Sequence, residues 1–368
     1  MKIWASILHW GAAADTWAAI ASLREQTRPP EGIVVIDNAS EEPLDQGRAG
    51  EAGVLLERQG ANLGFAGGQN RGMTLALARG AEAVLLLNND ATLDRACLER
   101  LEACLVAQPG IGLVGPVIRS ASPPHRIESA GIRFNLRTGR MRLRHHGRPR
   151  LPALPGPAGH ADLEDVDALS GAALLATAAL IRRVGLLRPE YFCYFEEVDW
   201  CLRARAAGLR VALLRGAEAR HRAKGSRAAG SATAGRAALT SYYGARNHLR
   251  CLQRNAPMRG AAGAGRRLAV TLFNYLRALR GPDRRARMTA VREGLRDSRR
   301  RVFGARPDHP GARPAPPLAE GARRPRVAAV VLAWNRLDDT LECIESLRAC
   351  RTAGLEIILV DNASRDPV

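Results

Sequence analysis

Four stretches of this 368-residue chain bring acids, amides and glycines close enough together to do chemistry. In Tyr191-Phe-Cys-Tyr-Phe-Glu-Glu-Val-Asp-Trp-Cys-Leu-Arg203, the acids Glu196, Glu197 and Asp199 follow an aromatic run at the start of a helical stretch. Apolar neighbours raise a carboxyl pKa, which is how a general base is tuned to take a proton near neutral pH. Three acids also suit the positive end of a helix with no chemistry at all. The apolar run Ala83–Leu87 delivers Asn88, Asn89 and Asp90. One carboxylate with flanking amides suits Mg²⁺ or Mn²⁺, ions that keep waters and are completed by substrate phosphates; alone, it reads equally as a turn. Asp37-Asn38-Ala-Ser follows another apolar run, where Asp37 can accept from a base N–H, although this motif is also a good turn. In Asn62-Leu-Gly-Phe-Ala-Gly-Gly-Gln-Asn-Arg-Gly72, the glycines let backbone N–H groups approach an anion at a helix N-terminus. His221 is a candidate metal ligand, with a structural imidazole as the alternative.

The elements that must position these groups alternate between strand and helix. Ile3–Trp10, Ile33–Ile36 and Ala83–Leu87 predict strands, and Asp15–Gln26, capped by Asp15, and Gly67–Arg79 predict helices. Such alternation, with strands apolar on both faces, implies an α/β fold with a mostly parallel sheet covered on both sides. Ligands of open α/β sheets bind at the carboxyl ends of the strands, where Asp37 and Asp90 fall. Between Ser120 and Gly159 the sequence becomes rich in Pro, Gly and Arg and predicts a long irregular excursion with a hairpin. Order resumes at Leu169, Arg210–Leu214 predicts a strand, and Gly260–Phe303 predicts Arg-dense helices. Residues 307–325 have the composition of a stiff, solvated linker.

Charge is distributed unevenly. The net charge is +19, and a strongly basic chain first suggests nucleic acid. Yet residues 201–301 hold 25 of the 55 basic side chains and 4 of the 36 acidic ones, whereas residues 1–200 hold 21 and 23. Only Lys2 and Lys224 are lysines, so the Arg excess also fits a GC-rich coding sequence. Seven cysteines without a C-x-x-C pair indicate neither a zinc ribbon nor a disulfide scaffold, and a reducing cytoplasm fits. No run approaches the ~20 apolar residues of a membrane span. The glycine stretch is neither G-x-G-x-x-G nor a Walker loop, which argues against a dinucleotide enzyme and an NTPase.

Residues 327–364 align without a gap on residues 3–40 at an offset of 324. Trp10 matches Trp334, Asp15-Thr16 match Asp339-Thr340, and Asp37-Asn38-Ala39-Ser40 match Asp361-Asn362-Ala363-Ser364. A strand-helix-strand unit cannot bury its own sheet faces. The expectation is therefore a piece of a longer tandem protein or a truncated gene product. Its parts are 1–225, 226–303 (an Arg-rich helical extension), 304–325 (a linker) and 326–368 (the start of a second copy).

In this order, VVIDNAS, NLGFAGGQNRG, LLLNND, SGAALL from Ser170, YFCYFEEVDWCLRARAAG and HRAKGS from His221 resemble the family 2 inverting glycosyltransferases. The likeness is to the bacterial rhamnosyltransferase-like branch and runs from Lys2 to about Arg250. It implies the GT-A nucleotide-sugar-binding fold. It puts Asp37 on the nucleotide base, Asn62 and the Gly64–Asn70 loop with Gly67 and Gly68 around the nucleotide sugar, and Asn38 among the substrate-binding residues. Asn88, Ser170, Gly171, Trp200 and Arg203 join the substrate-binding set. Asp90 and His221 become ligands of Mg²⁺ or Mn²⁺, Glu197 the general base, and Glu196 and Asp199 its catalytic neighbours. The implied partners are a nucleotide-sugar donor, with dTDP-rhamnose favoured, and a glycan or lipid-linked acceptor, on the cytoplasmic side.

Two other readings compete. A nucleotidyltransferase shares the α/β plan but calls for a basic, Gly-rich loop after the first strand, which His9-Trp10-Gly11-Ala12 does not offer. A basic binding module without transferase activity would rest on residues 201–301. There LAVTLFNYLRALR (268–280) mixes apolar and Arg positions as an interfacial helix does, favouring an anionic membrane surface over nucleic acid.

Overall fold

Three apolar strands form the middle of the molecule because each is buried on both faces. Ile3–His9 (β1) is followed by helix Ala13–Arg24 (α1), Gly32–Asp37 (β2), helix Gln46–Glu51 (α2), Val54–Arg58 (β3), helix Gly64–Ala78 (α3) and Ala83–Asn88 (β4). Next come Ala91–Leu93 (β5), helix Cys97–Ala107 (α4), Ile111–Ser120 (β6), Ile127–Ser129 (β7), Ile132–Asn135 (β8), Arg140–Leu143 (β9), Leu163–Asp165 (β10) and Ala173–Thr177 (β11). Helices Ala178–Val184 (α5) and Glu196–Ala206 (α6), strand Arg210–His221 (β12), and helices Ser231–Asn255 (α7), Gly260–Leu279 (α8) and Arg284–Arg300 (α9) complete this part. The structure is a computed structural model and describes residues 1–152, 162–222, 231–280, 283–306, 327–333, 340–341, 343–345 and 355–361.

The main sheet runs β10-β12-β6-β11-β4-β1-β2-β3, with β5 added to β12 and β7 to β6. β1 is parallel to β2 and β4, β2 to β3, and β12 to β6, while β11 runs antiparallel between β4 and β6. His9, Asp37, Asn88, Ser120 and His221 therefore close their strands at one edge. A break in register between Leu214 and Glu218 lets the second half of β12 pair with β5 as well as β6, setting His221 opposite Ala91.

Several expectations need correction. α1 starts at Ala13, and Ala12, not Asp15, is its cap; Asp15 sits in the first turn, where its carboxylate accepts from Arg222 at 2.6 Å. α3 begins at Gly64 rather than Gly67, so the glycines form its first two turns and not a loop. Strand order resumes at Leu163, before Leu169. The irregular stretch does contain a hairpin, β8–β9. The stretch 307–325, residues 223–226 of the HRAKGS match, and Trp334 to Asp339 of the repeat lie outside the described residues.

Contacts divide the chain into Met1–Arg313 and Pro314–Val368. No boundary separates residues 1–225 from the helices that follow. Ala245, Leu249, Cys251 and Leu252 of α7, Val270 and Ala278 of α8, and Val291 and Leu295 of α9 belong to the same core as Leu86, Leu174 and Trp200. The helical extension is thus part of the first unit's core, because its apolar faces have the sheet-covering helices to bury against.

In the second unit, Val327–Ala333 (β13) pairs in parallel with Leu355–Asp361 (β14). Trp4 faces Gly32 in β1–β2 and Ala328 faces Glu356 in β13–β14, the same separation of 28 residues. Thr16 and its repeat partner Thr340 are both buried.

Candidate active site

The carboxyl edge of β1, β2 and β4 is polar and almost wholly hydrogen-bonded. Asp37, 1% exposed, accepts the Ser40 N–H at Oδ1 (2.8 Å), and its Oδ2 lies 3.9 Å from the Arg58 guanidinium. Asn38 donates to Asn62 Oδ1 (2.8 Å) and to the Gly64 carbonyl (3.2 Å), and accepts the Leu63 N–H (2.8 Å). Asn62 Oδ1 accepts the Gly64 N–H at 2.8 Å. These two asparagines cap the start of α3, satisfying amides that a helix otherwise leaves orphaned. His9, fully buried, bridges Thr16 and the Glu42 carbonyl at 2.7 Å each, and Asn89 also donates to Thr16.

At the neighbouring strand ends, His221 Nε2 lies 3.2 Å from Asp90 Oδ1 and 3.4 Å from the Asn88 amide. Its Nδ1 lies 2.9 Å from a carboxylate oxygen of Glu128. Burial opposes charge on this imidazole, but the hydrogen bonds to Asp90 and Glu128 carry its pKa up to about 9. Among the described residues, no group of three or more His, Cys, Asp or Glu is arranged to hold a metal. The chemistry of the pair still fits Mg²⁺ or Mn²⁺ with a shell completed by phosphate and water: one carboxylate oxygen beside an imidazole nitrogen. Glu128 adds the carboxylate that commonly orients a metal-binding histidine through its other nitrogen. Sequence reasoning did not find Glu128, because it sits on the three-residue strand β7 inside a stretch that reads as irregular.

The acidic segment is of a different kind. Glu196 is 4% exposed, and the Oε2 atoms of both Glu196 and Glu197 are buried without a hydrogen-bond partner. Burial pushes Glu197 up to about 7, with backbone amides of Phe195, Glu197 and Val198 offsetting part of the cost. Burial and the adjacent Glu197 push Glu196 well above the carboxylate range. The backbone leading in is strained: Phe192, Tyr194 and Phe195 all have positive φ (64°, 68° and 76°). Non-glycine residues held there cost about 1–3 kcal/mol each and persist only where their surroundings over-determine them.

Helix α7 supplies that determination. Asn247, fully buried, donates from Nδ2 to the carbonyls of Tyr191, Cys193 and Tyr194 at 2.8–2.9 Å. Arg246, 1% exposed, donates to the Tyr191 carbonyl at 2.9 Å and the Gly304 carbonyl at 2.7 Å, with its guanidinium over the rings of Tyr242 and Tyr243. The imidazole of His248 stacks on Phe195, with centroids 4.9 Å apart. Nothing local in the sequence marks Arg246-Asn247-His248 as the brace of a segment fifty residues earlier.

The structure brings several of the expected residues together. A Cβ on Gly171 would lie 3.4 Å from the Phe65 ring and 3.7 Å from Cγ of Glu197, and one on Gly64 (φ 71°) would strike the Phe192 carbonyl. The Asn88 N–H donates to the Ala172 carbonyl at 2.9 Å, and the Ala172 N–H to Ser170 Oγ at 3.3 Å. Asn88, Ser170, Gly171 and Glu197 are thereby chained along one edge.

Other expected residues have a different occupation. Asn70 is closed on Leu187, donating to its carbonyl (2.7 Å) and accepting its N–H (3.0 Å). A side chain on Gly68 would collide with Leu8 of β1, and one on Gly67 with Leu63 at 2.8 Å, so these glycines serve close packing rather than an anion. The Leu63, Gly64 and Ala66 amides are taken by Asn38, Asn62 and the Phe192 carbonyl. Asp199, fully buried, is paired with Arg188 and Arg203 at 2.9 Å each and accepts from Tyr191 and Asn255, which leaves no oxygen for catalysis. Arg203 also donates to the Val184 and Leu186 carbonyls, and Trp200, fully buried, to the Gly185 carbonyl at 2.8 Å. Both are internal supports and not substrate ligands.

The chain also resembles known proteins in sequence and in fold. Residues 10–156 match the family model described as Glycosyl transferase family 2. The low-salt glycan biosynthesis hexosyltransferase of Haloferax volcanii is 26% identical over 190 residues, 51% of this chain and 58% of that one. The dTDP-rhamnosyl transferase of Shigella flexneri is 23% identical over 197 residues, 54% of this chain and 60% of that one. The chain thus spans less than two thirds of the length of these relatives. The crystal structure of GalNAc-T7 with UDP, GalNAc and Mn²⁺ aligns with a TM-score of 0.51 at 13% identity, covering 69% of this chain and 48% of that one. At that identity the likeness is one of fold, and the fold is GT-A.

Proposed function

We propose, from the premise that the chain carries a family 2 glycosyltransferase domain, that it is a metal-dependent, inverting sugar transferase using a nucleotide-diphosphate sugar. The observation that carries the reading is Glu197, a buried carboxylate with an unpartnered oxygen on the same edge as Asp37, Asn88 and the Asp90–His221 pair. A sugar hydroxyl is a weak nucleophile. Glu197 takes its proton as the oxygen bonds to the anomeric carbon from the face opposite the donor's C–O bond, which breaks with its electron pair leaving on the diphosphate. Asp90 and His221 would hold the divalent cation, which neutralises the leaving diphosphate when bound. Asp37 accepts from the base, and Asn38 and Asn62 hold the neighbouring backbone in place.

A pKa near 7 gives Glu197 its direction of pH dependence. The deprotonated form is the base, so turnover falls as pH drops below about 7 and levels above it. dTDP-rhamnose is the favoured donor, the acceptor is a glycan or lipid-linked hydroxyl, and the reaction belongs at the cytoplasmic face of the membrane. Residues 326–368 form the opening of a second copy, a reading supported by the equal β1–β2 and β13–β14 registers. Screening a panel of nucleotide sugars with and without EDTA tests the reading. We expect transfer from one donor, lost in EDTA and restored by Mn²⁺ or Mg²⁺. Transfer that ignores EDTA overturns the metal, and near-normal transfer by Glu197→Gln overturns the base.

A further inference from the structure

α8 has two opposed apolar faces. Gly263, Val270, Asn274 and Ala278 are buried against the rest of the first unit. On the opposite side Leu268, Leu272, Leu276 and Leu279 are 69%, 55%, 45% and 47% exposed. Steps of four, four and three residues keep these leucines within one narrow stripe of the helix, and exposed Ala261 and Gly265 continue it towards the N-terminus. Exposed apolar side chains scattered singly need no explanation, but an aligned row of them on one helix does.

The surroundings of the stripe are cationic. α8 contains Arg266, Arg267 and Arg277 and no acid. At 100° per residue these arginines lie about 120–140° from the centre of the stripe, towards the buried side. There Arg266 donates to the Arg137 and Pro257 carbonyls and Arg267 to the Met258 carbonyl, while exposed Arg280 directly follows the last leucine. Residues 259–306 hold 14 arginines against Asp283, Glu293 and Asp297. Glu293 is paired with Arg306 and Asp297 with Arg296.

We propose that the leucine stripe of α8 and the arginines around it dock the protein on an anionic lipid bilayer, with α8 lying in the plane of the interface. Leucines enter the boundary of the acyl region while arginines reach the headgroups on long apolar stems. No helix among the described residues is long and apolar enough to cross a membrane, which fits a helix that lies on the surface. Charge decides between occupants. A second copy meeting this face would bring two arginine-rich, acid-poor surfaces together, and duplex DNA would satisfy the arginines but leave the leucines in water. An anionic bilayer accepts both. The proposal goes beyond the transfer reaction: it concerns a face outside the candidate active site and holds or fails without any assay of transfer.

Co-sedimentation of the full chain with vesicles of phosphatidylcholine plus phosphatidylglycerol, with phosphatidylcholine vesicles and a DNA duplex as the other arms, tests it. We expect binding to the anionic vesicles that weakens with salt, and little to the neutral ones. Leu272→Glu/Leu276→Glu places two acids on exposed positions, so circular dichroism and thermal melting should match the parent, while vesicle affinity falls by about tenfold or more. Arg280→Gln/Arg284→Gln, at exposed positions just past the stripe, should weaken vesicle binding about tenfold and make it less sensitive to salt. Unchanged vesicle binding by the leucine variant overturns the proposal, as does preference for the duplex. So does a parent chain that forms dimers the leucine variant cannot form and ignores vesicles.

Discussion

The two sides of the candidate active site are built on opposite plans. At the carboxyl ends of β1 and β2, Asp37, Asn38, Asn62 and Ser40 spend their polar atoms on one another and on nearby backbone. At Glu196-Glu197, two carboxyl groups are buried with an oxygen each left over, at the end of a backbone held in three unfavourable conformations. A site that binds a preformed ligand gains from groups already oriented, because none has to be ordered on binding. A site that moves a proton gains from a group whose charged form is unstable in the resting protein, because only then does its pKa approach neutrality. Under the proposed function, satisfied and unsatisfied groups answer to two different tasks on one edge.

The largest expected effect tests the unsatisfied side. Glu197→Gln keeps size and removes the base, so turnover should fall by about 10²–10⁴-fold, with donor-nucleotide affinity measured by calorimetry unchanged. Equal loss of donor affinity would put Glu197 with the binding groups. Asp199→Ala, two residues on, should behave in the opposite way. It strands Arg188 and Arg203 beside a buried cavity, which costs about 3–5 kcal/mol of stability, seen as a lowered denaturant midpoint. A selective loss of turnover in a fully stable Asp199→Ala would return that residue to the catalytic set.

His248 links stability to the strained segment by way of pH. Its burial against Phe134, Phe195 and Phe273 pushes the imidazole down to about 4, and it is stacked on the residue that precedes Glu196. The unfolded chain binds the proton near pH 6.5 and the folded chain does not until about 4. This contribution is therefore complete above pH 6.5 and is lost as pH falls towards 4, by about 3 kcal/mol in all. In urea titrations across that window, His248→Phe should show a flatter dependence of stability on pH than the parent chain. An identical slope would show that His248 charges freely in the folded protein.

The strands were readable and the brace was not. β1, β2 and β4 announce themselves because a strand buried on both faces is apolar at every position, and the polar run after each follows from chain direction in a parallel sheet. Helix α3 starts earlier than its sequence suggests because glycines usually weaken a helix; here Gly68 and Gly72 permit the close approach to Leu8 and Ser6 that a larger side chain would block. The acids of α6 could be listed but not sorted. Glu197 and Asp199 are two residues apart, hence on different faces of the helix, and only their surroundings, an unpartnered oxygen beside Gly171 for one and Arg188 and Arg203 for the other, separate a candidate base from a buried ion pair. Asn247 and Glu128 act through contacts 53 and 93 residues away in sequence, which no local pattern encodes.

Glu128 also gives the comparison its smallest test. If the cation side is built on the satisfied plan, the Glu128 carboxylate fixes the His221 ring through Nδ1, so that Nε2 faces Asp90 before any ligand arrives. Glu128→Gln keeps an acceptor oxygen but weakens its pull on that N–H. The Mn²⁺ concentration giving half-maximal transfer should rise by about tenfold, with turnover at saturating Mn²⁺ close to the parent and the pH profile set by Glu197 unmoved. A shift of that profile instead would mean that the two sides are electrostatically one site, and that the division between a prearranged donor edge and a frustrated base does not hold.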